Sequence, residues 1–164
     1  GPARTAILWS SARLAELRKT ARARNDQPRL RAYQAAMRRG GVLREASAVR
    51  ATLVWSHPDA DVQLYASHPG LSMTRPMDIA PELGIEAFDV EEQEDGMYRF
   101  EVRRTGRDTL SRVQAKLIVV VREGERDERI EVYPLDFTAP VQTYGFTLTG
   151  DTVRALPVVT GGAQ

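Results

Sequence analysis

The chain has 164 residues, no cysteine and a formal net charge of +1, with 42% apolar and 27% charged residues. This length fits one domain with or without an appendage, and the composition is ordinary for a globular protein. The lack of cysteine excludes disulfide scaffolds, thiol nucleophiles and thiolate zinc sites. The longest apolar run, residues 117–121, is strand-sized and far below the roughly 18 residues that span a bilayer.

The near-neutral charge is the sum of two opposite parts. Residues 3–50 carry twelve Arg and Lys against three acidic residues, a balance of +9, whereas residues 51–164 have a balance of −8. This change of sign predicts a boundary near residue 50. The predicted organisation is given by four ranges: a tag scar at 1–2, a basic α-helical segment at 3–48, an acidic β-sandwich domain at 49–160 and a disordered tail at 161–164.

The basic segment is predicted to form a helical hairpin. Residues 6–25 are rich in good helix formers. They carry an apolar stripe at helical spacing: Ile7, Leu14, Leu17 and Ala21. Leu8 and Trp9 lie off this stripe, which predicts that the first helix also packs against the β domain or a preceding domain. The opposite charges of the two parts favour helices that lie against the sandwich.

The second helix has a clear start and stop. Asp26 or Gln27 is the expected N-cap, and Pro28 fits the first turn, where its missing N–H costs nothing. Gly40 and Gly41 are expected to end the helix. Its apolar stripe is Leu30, Tyr33 and Met37. Two helices joined by a short polar turn should pair as an antiparallel hairpin.

From Val49 onward the apolar period changes to two. The predicted strands are 49–55, 62–67, 84–90, 97–104, 113–122, 128–137, 141–148 and, as an eighth, 153–159. Residues 117–121 are apolar on both faces and should lie inside a sheet. No helical crossover separates the strands, so the fold class is mainly β: an antiparallel two-sheet sandwich of immunoglobulin-like or jelly-roll type.

The loop after the first strand holds the candidate metal ligands. Asp59 and Asp61 supply carboxylate oxygens of the kind that calcium binds, and the acidic run at 91–95 is a possible further donor. The alternative is that both aspartates serve the turn, because Asp side chains bond nearby backbone N–H groups. His57 and His68, the two histidines of the chain, supply too few ligands for a three-histidine zinc site, although either residue can join an aspartate in a mixed one.

Motifs for catalysis are not found. The sequence has no Gly-x-Ser-x-Gly elbow, no P-loop and no dinucleotide glycine fingerprint. No catalytic residue and no cofactor other than calcium is therefore predicted, and the chain is expected not to be an enzyme. The arginines of the helical segment suggest nucleic-acid binding as a further alternative, but they are spread around both helices and do not form one stripe.

Short motifs resemble an uncharacterised bacterial extracytoplasmic β-sandwich family. They are Leu53-Val-Trp-Ser, then Asp59-Ala-Asp61-Val-Gln-Leu-Tyr65 and His68-Pro-Gly70, and later Asp95-Gly-Met-Tyr-Arg-Phe-Glu-Val102. Leu8-Trp9 and Ala12-Arg-Leu-Ala-Glu-Leu17 are similar to the helical segment after the von Willebrand A domain of inter-α-trypsin-inhibitor-like proteins. The chain departs from the family pattern at Gln63 and Tyr65, where an acidic residue and a histidine are expected.

The resemblance implies a domain at the C-terminus of a multidomain secreted or periplasmic protein. Together with the motif search, it favours a non-catalytic protein-interaction or assembly module that binds a protein partner or a neighbouring domain. The alternatives are a calcium-dependent carbohydrate- or surface-binding sandwich that uses Asp59 and Asp61, and an Arg-rich nucleic-acid binder.

Overall fold

The computed structural model describes residues 2–161. Gly1 of the predicted scar and residues 162–164 of the predicted tail lie outside the described residues, whereas Pro2 begins the first helix. The helices are α1 (Pro2–Ala23) and α2 (Gln27–Arg39), with 3-10 turns at Leu43–Glu45 and Pro81–Leu83. The strands of the described residues are β1 (Val49–Trp55), β2 (Val62–His68), β3 (Leu71–Thr74), β4 (Asp78–Ala80), β5 (Ile85–Val90), β6 (Met97–Thr105), β7 (Val113–Val121), β8 (Arg129–Phe137), β9 (Val141–Thr149), β10 (Thr152–Ala155) and β11 (Val159–Thr160).

The strands form two antiparallel sheets, which confirms the predicted sandwich. Sheet A has the order β4-β5-β1-β7-β8, and sheet B has the order β10-β9-β6-β2-β3 with β11 also paired to β9. The inner faces of both sheets share one core, to which β6 contributes Tyr98, Phe100 and Val102 as its alternation predicts. Within the described residues, no helix is both long and apolar enough to cross a membrane.

The two helices form the predicted hairpin. The Asp26 carboxylate accepts a hydrogen bond from the Arg29 backbone N–H at 3.1 Å, so Asp26 is the N-cap of α2. Leu30 and Met37 of the second stripe are buried. The helix ends at Arg39, and the Gly40 N–H donates to the Ala36 carbonyl at 2.9 Å.

The helix α1 covers the outer face of sheet A and adds a third layer to the sandwich. Ala12 and Ala15 pack against Ile118, Val120 and Ile130. These small side chains bring the helix close to the sheet, which explains why β7 is apolar on both faces: residues 117, 119 and 121 face the sandwich core, while residues 118 and 120 face α1.

A face of α1 other than the predicted stripe packs on the sheet, as the position of Leu8 off that stripe predicts. The buried residues of α1 are Leu8, Ser11, Ala12, Ala15, Arg18 and Ala21. Ala21 alone belongs to the predicted stripe, whereas Ile7, Leu14 and Leu17 are half-buried. The sheet-facing side is made of alanine, serine and an ion-paired arginine, which a stripe of large apolar residues does not reveal.

The predicted strand bounds agree with the structure to within a few residues, apart from the short edge strands. Strands β3 and β4 were not predicted, because they have only four and three residues and are too short to show an alternation. The predicted eighth strand is split into β10 and β11, both of which pair with β9.

Candidate functional site

The two predicted metal-ligating aspartates lie in the loop before β2 and make hydrogen bonds that belong to the fold. Asp59 is exposed, and its backbone N–H donates to Nδ1 of His57 at 3.1 Å. The Asp61 carboxylate accepts a hydrogen bond from the Thr105 hydroxyl, and the Asp61 N–H donates to the Asp108 carboxylate at 3.1 Å. Calcium binding by Asp59 and Asp61 stays a prediction, which a calorimetric calcium titration checks.

His57 lies beside Asp59, but the other predicted ligands, the acidic run and His68, are far from these aspartates. Val62 pairs with Arg104 at one end of β6, while the acidic run at 91–95 precedes Met97 at the other end. The two ends of this strand are about 25 Å apart at roughly 3.3 Å per residue. His68 ends β2 whereas His57 precedes it, so the histidines are separated in the same way. Among residues 2–161, no group of three His, Asp or Glu side chains can hold a metal ion.

Several cations of α1 pair with acidic residues of the β domain. Arg18 and Arg22 bind Glu128, and Lys19 lies 3.8 Å from Glu131. Arg4 also forms ion pairs, with Glu45, Asp78 and Asp89. These ion pairs join the basic helical segment to the acidic β domain, because the charges of α1 complement those of sheet A. Nucleic-acid binding by the remaining arginines stays untested.

A depression of the surface lies between α1 and the end of sheet A. It has a volume of about 550 Å³, and we call it the tryptophan groove. Its lining residues are Trp9, Glu16, Val54, Trp55, Ser56, Leu83, Gln114, Ala115 and Lys116. Both tryptophans of the chain line it. Trp55 is 5% exposed and belongs to the core between the two sheets, whereas Trp9 and Leu83 are 37% and 55% exposed and form the walls of the groove.

The rim of the tryptophan groove is polar but electrically balanced. The Lys116 ammonium donates to the Glu16 carboxylate at 2.9 Å, which joins α1 to β7 across the groove. Ser56 and Gln114 are exposed and offer a hydroxyl and an amide. The groove therefore presents the exposed apolar side chains of Trp9 and Leu83 beside a neutralised ion pair and uncharged hydrogen-bonding groups. This combination suits a ligand that buries an uncharged apolar side chain.

Two exposed large apolar side chains, Trp9 and Leu83, line this groove. In the described part of the chain, the exposed large apolar residues are Trp9, Leu71, Met77, Ile79, Leu83, Met97, Val158 and Val159. Half of them lie on α1 or in residues 77–83, the segment that contains the edge strand β4 and borders α1 at Leu8. Exposed apolar residues that cluster in this way mark interaction surfaces more often than isolated ones do.

A glycine next to Leu83 allows this turn to approach the Trp55 backbone closely. Gly84 has a φ of +70°, and its carbonyl accepts a hydrogen bond from the Trp55 N–H at 3.0 Å. A Cβ at this position would lie 2.2 Å from the Trp55 carbonyl oxygen. The groove thus depends on a close backbone approach that only glycine allows.

Gly84→Ala is therefore expected to destabilise the protein by more than the roughly 1–2 kcal/mol of a left-handed backbone alone. The matched control is Gly150→Ala, because Gly150 has a φ of +62° with nothing within 4 Å of its added Cβ. Urea unfolding of both variants measures the difference, which reports the clash with Trp55. Equal losses for the two variants would contradict this account.

Comparison of the chain with protein-family models, curated proteins and solved structures finds no significant match. One feature of the sequence pointed to the tryptophan groove, namely the position of Leu8 and Trp9 off the first stripe. Leu8 packs on Ile85 and Ala87 of sheet A, while Trp9 remains partly exposed beside it. The contributions of Leu83 and Lys116 come from elements that only the fold brings to α1.

Proposed function

We propose that this chain is a non-catalytic protein-interaction module that binds an apolar segment of a partner protein in the tryptophan groove. The observation that carries the proposal is the meeting of both tryptophans with the exposed Leu83 in one concave site. Tryptophans in such sites dominate the energies of protein interfaces, because they bury much apolar area in a shape that is already fixed.

The charge of the rim favours an uncharged ligand segment. Because Glu16 and Lys116 neutralise each other, the groove offers no net charge to an acidic or a basic peptide. A leucine, methionine or phenylalanine side chain can instead pack between Trp9 and Leu83, while its flanking backbone bonds to Ser56 and Gln114. In keeping with the family resemblance, we place the module in a larger extracytoplasmic bacterial protein, where the ligand is a neighbouring domain or a partner chain.

The probe for this proposal is a displayed library of random dodecapeptides selected on the intact chain. We expect the selected peptides to share an apolar anchor residue and to change the tryptophan fluorescence on binding, since both tryptophans line the groove. Trp9→Ala is expected to weaken peptide binding about 30-fold, which corresponds to the roughly 2 kcal/mol of an interface hot spot. Leu83→Ser should weaken binding as well, by roughly tenfold.

The matched control is Met97→Ser, because Met97 is exposed to the same extent as Leu83 but lies on sheet B. This variant should bind the selected peptides as the unchanged protein does. Circular dichroism confirms that each variant is folded. The proposal fails if no peptide is enriched, or if the enriched peptides bind equally well to the Trp9→Ala variant.

A further inference from the structure

A second depression, which we call the arginine pocket, lies on the other side of α1. It has a volume of about 380 Å³ and sits between α1, α2 and the loop that joins β7 to β8. Its lining residues are Arg18, Arg22, Gln34, Met37, Arg38, Leu43, Gly124, Glu125, Arg126 and Glu128. Four arginines face two glutamates, so the lining carries an excess of two positive charges.

One of these arginines has a buried donor that no residue satisfies. Arg18 is completely buried, and its Nε and Nη2 donate to the two carboxylate oxygens of Glu128 at 2.9 Å each. Its Nη1 has no hydrogen-bond partner among the described residues. Because Nε and Nη2 hold the side of the guanidinium that faces Glu128, Nη1 lies on the opposite side. Buried polar groups are almost always paired, so this atom indicates a missing acceptor.

The glutamate beside Arg18 cannot be that acceptor. The Glu128 carboxylate also forms an ion pair with Arg22, whose Nη2 lies 2.6 Å away, and accepts a hydrogen bond from the Gly124 N–H at 2.9 Å. Its oxygens therefore accept three hydrogen bonds, pair with a second arginine and hold the Arg18 guanidinium in one orientation. Arg18 is thus held rigid, and it lines the pocket with its Nη1 unpaired.

Two further arginines of the pocket are free to bind a ligand. Arg38 and Arg126 are exposed, and neither forms an ion pair with a residue that the structure describes. Arg38 lies in the last turn of α2, and Arg126 lies in the loop between β7 and β8. Gln34 adds an amide one turn before Arg38. The elements that form the pocket thus supply unpaired donors to one concave surface.

We propose that the arginine pocket binds the phosphate group of a small phosphate monoester. Arginine suits phosphate oxygens because its planar fork donates parallel hydrogen bonds. Arg18 Nη1 would supply a buried donor, and Arg38 and Arg126 would close over the remaining oxygens. The volume lies in the range of small-molecule sites, about 300–1,000 Å³, and leaves room for the organic part of the ester beside Gln34 and Leu43.

The test is thermal unfolding of the intact chain with glycerol 3-phosphate or inorganic phosphate, at an ionic strength matched with sodium chloride. We expect glycerol 3-phosphate to raise the melting temperature by about 5–10 °C at a concentration of 100 Kd. Inorganic phosphate alone should give the smaller rise of the two. A larger rise with inorganic phosphate than with glycerol 3-phosphate would assign the site to the free anion and overturn the proposal of a monoester ligand.

Arg38→Gln and Arg126→Gln are expected to weaken glycerol 3-phosphate binding at least tenfold each in a calorimetric titration. The matched control is Arg31→Gln, because Arg31 is an exposed residue of α2 that lies outside the pocket. This variant should bind as the unchanged protein does. Equal weakening in all three variants would mean counterion screening only. A crystal grown with the ester that shows only an ordered water at Arg18 Nη1 would also overturn the proposal.

Discussion

Replacement of Arg50 by methionine is expected to lower the free energy of unfolding by about 3–5 kcal/mol, the range for breaking a buried ion pair by removing one partner. Arg50 is 1% exposed and lies on the outer face of β1 beneath α1. A guanidinium has five N–H donors. The acceptors of Arg50 are the Ser11 and Ser47 hydroxyls, the Glu45 carbonyl and the Glu123 and Asp89 carboxylates.

The methionine variant leaves the acceptors of Arg50 without their shared donor. Glu123 is the most affected, because it is 3% exposed and its remaining partner is the Ser11 hydroxyl. Arg50→Lys keeps the charge but offers three donors from a single nitrogen, so it should recover only part of the loss. The double variant Arg50→Met with Glu123→Gln should lose less than the sum of the single variants, since it removes the uncompensated carboxylate as well.

Urea unfolding measures these differences, and an unchanged m-value shows that the compared states are the same. The control is Arg154→Met on β10, because Arg154 is exposed. This change should stay within about 0.5 kcal/mol. A loss below about 1 kcal/mol for Arg50→Met would show that the buried network contributes little to the stability of the fold.

The buried arginines also show what sequence periodicity can and cannot predict. The alternation in β1 correctly places Arg50 on the side away from the sandwich core, and by this criterion alone it is a solvent-facing residue. A twofold period reports which face of a sheet a residue occupies, but it does not report whether a helix covers that face. Arg104 is the opposite case. It lies on the same inward face of β6 as Val102 and is buried at the end of the core although it is an arginine.

The sandwich was predictable because its strands are long, alternating and separated by turn residues. The sites were less predictable, because each combines residues that are distant in sequence. Trp9 and Leu83 come from α1 and a 3-10 turn, while Arg18 and Arg126 are more than 100 residues apart. The side chains that hold α1 on sheet A are small or charged, so a search for large apolar residues overlooks them. The sequence alone therefore indicates the layers better than the surfaces that form between them.

The pH dependence of stability is expected to differ in sign between two buried glutamates. Burial by itself would raise the pKa of Glu128, but the hydrogen bonds and charge of Arg18, the Gly124 N–H and the charge of Arg22 outweigh it and leave this pKa below its ordinary value. For Glu86, burial dominates over the Leu64 N–H and Arg75, so its pKa is raised. The two residues are similarly buried, which makes them a matched pair.

The sign follows from which state binds more protons. For Glu128 the unfolded chain does, so its contribution to stability is complete above its unfolded pKa of roughly 4.3 and is lost as the pH falls through the lower folded pKa. For Glu86 the folded chain binds more protons. Its contribution is complete below the unfolded pKa and is lost as the pH rises through the higher folded pKa.

Glu128→Gln is accordingly expected to lower the free energy of unfolding by about 3–5 kcal/mol at pH 7, since it leaves the buried Arg18 without a charged partner. The stability difference between the unchanged protein and this variant should shrink as the pH falls from 5 towards 2. The difference from Glu86→Gln should instead move in favour of the unchanged protein as the pH is lowered through the raised pKa of Glu86. Urea unfolding across this pH series measures both. Parallel pH profiles for the two variants would contradict the opposite pKa shifts. Acidification should remove the stabilising contribution of Glu128 and restore that of Glu86.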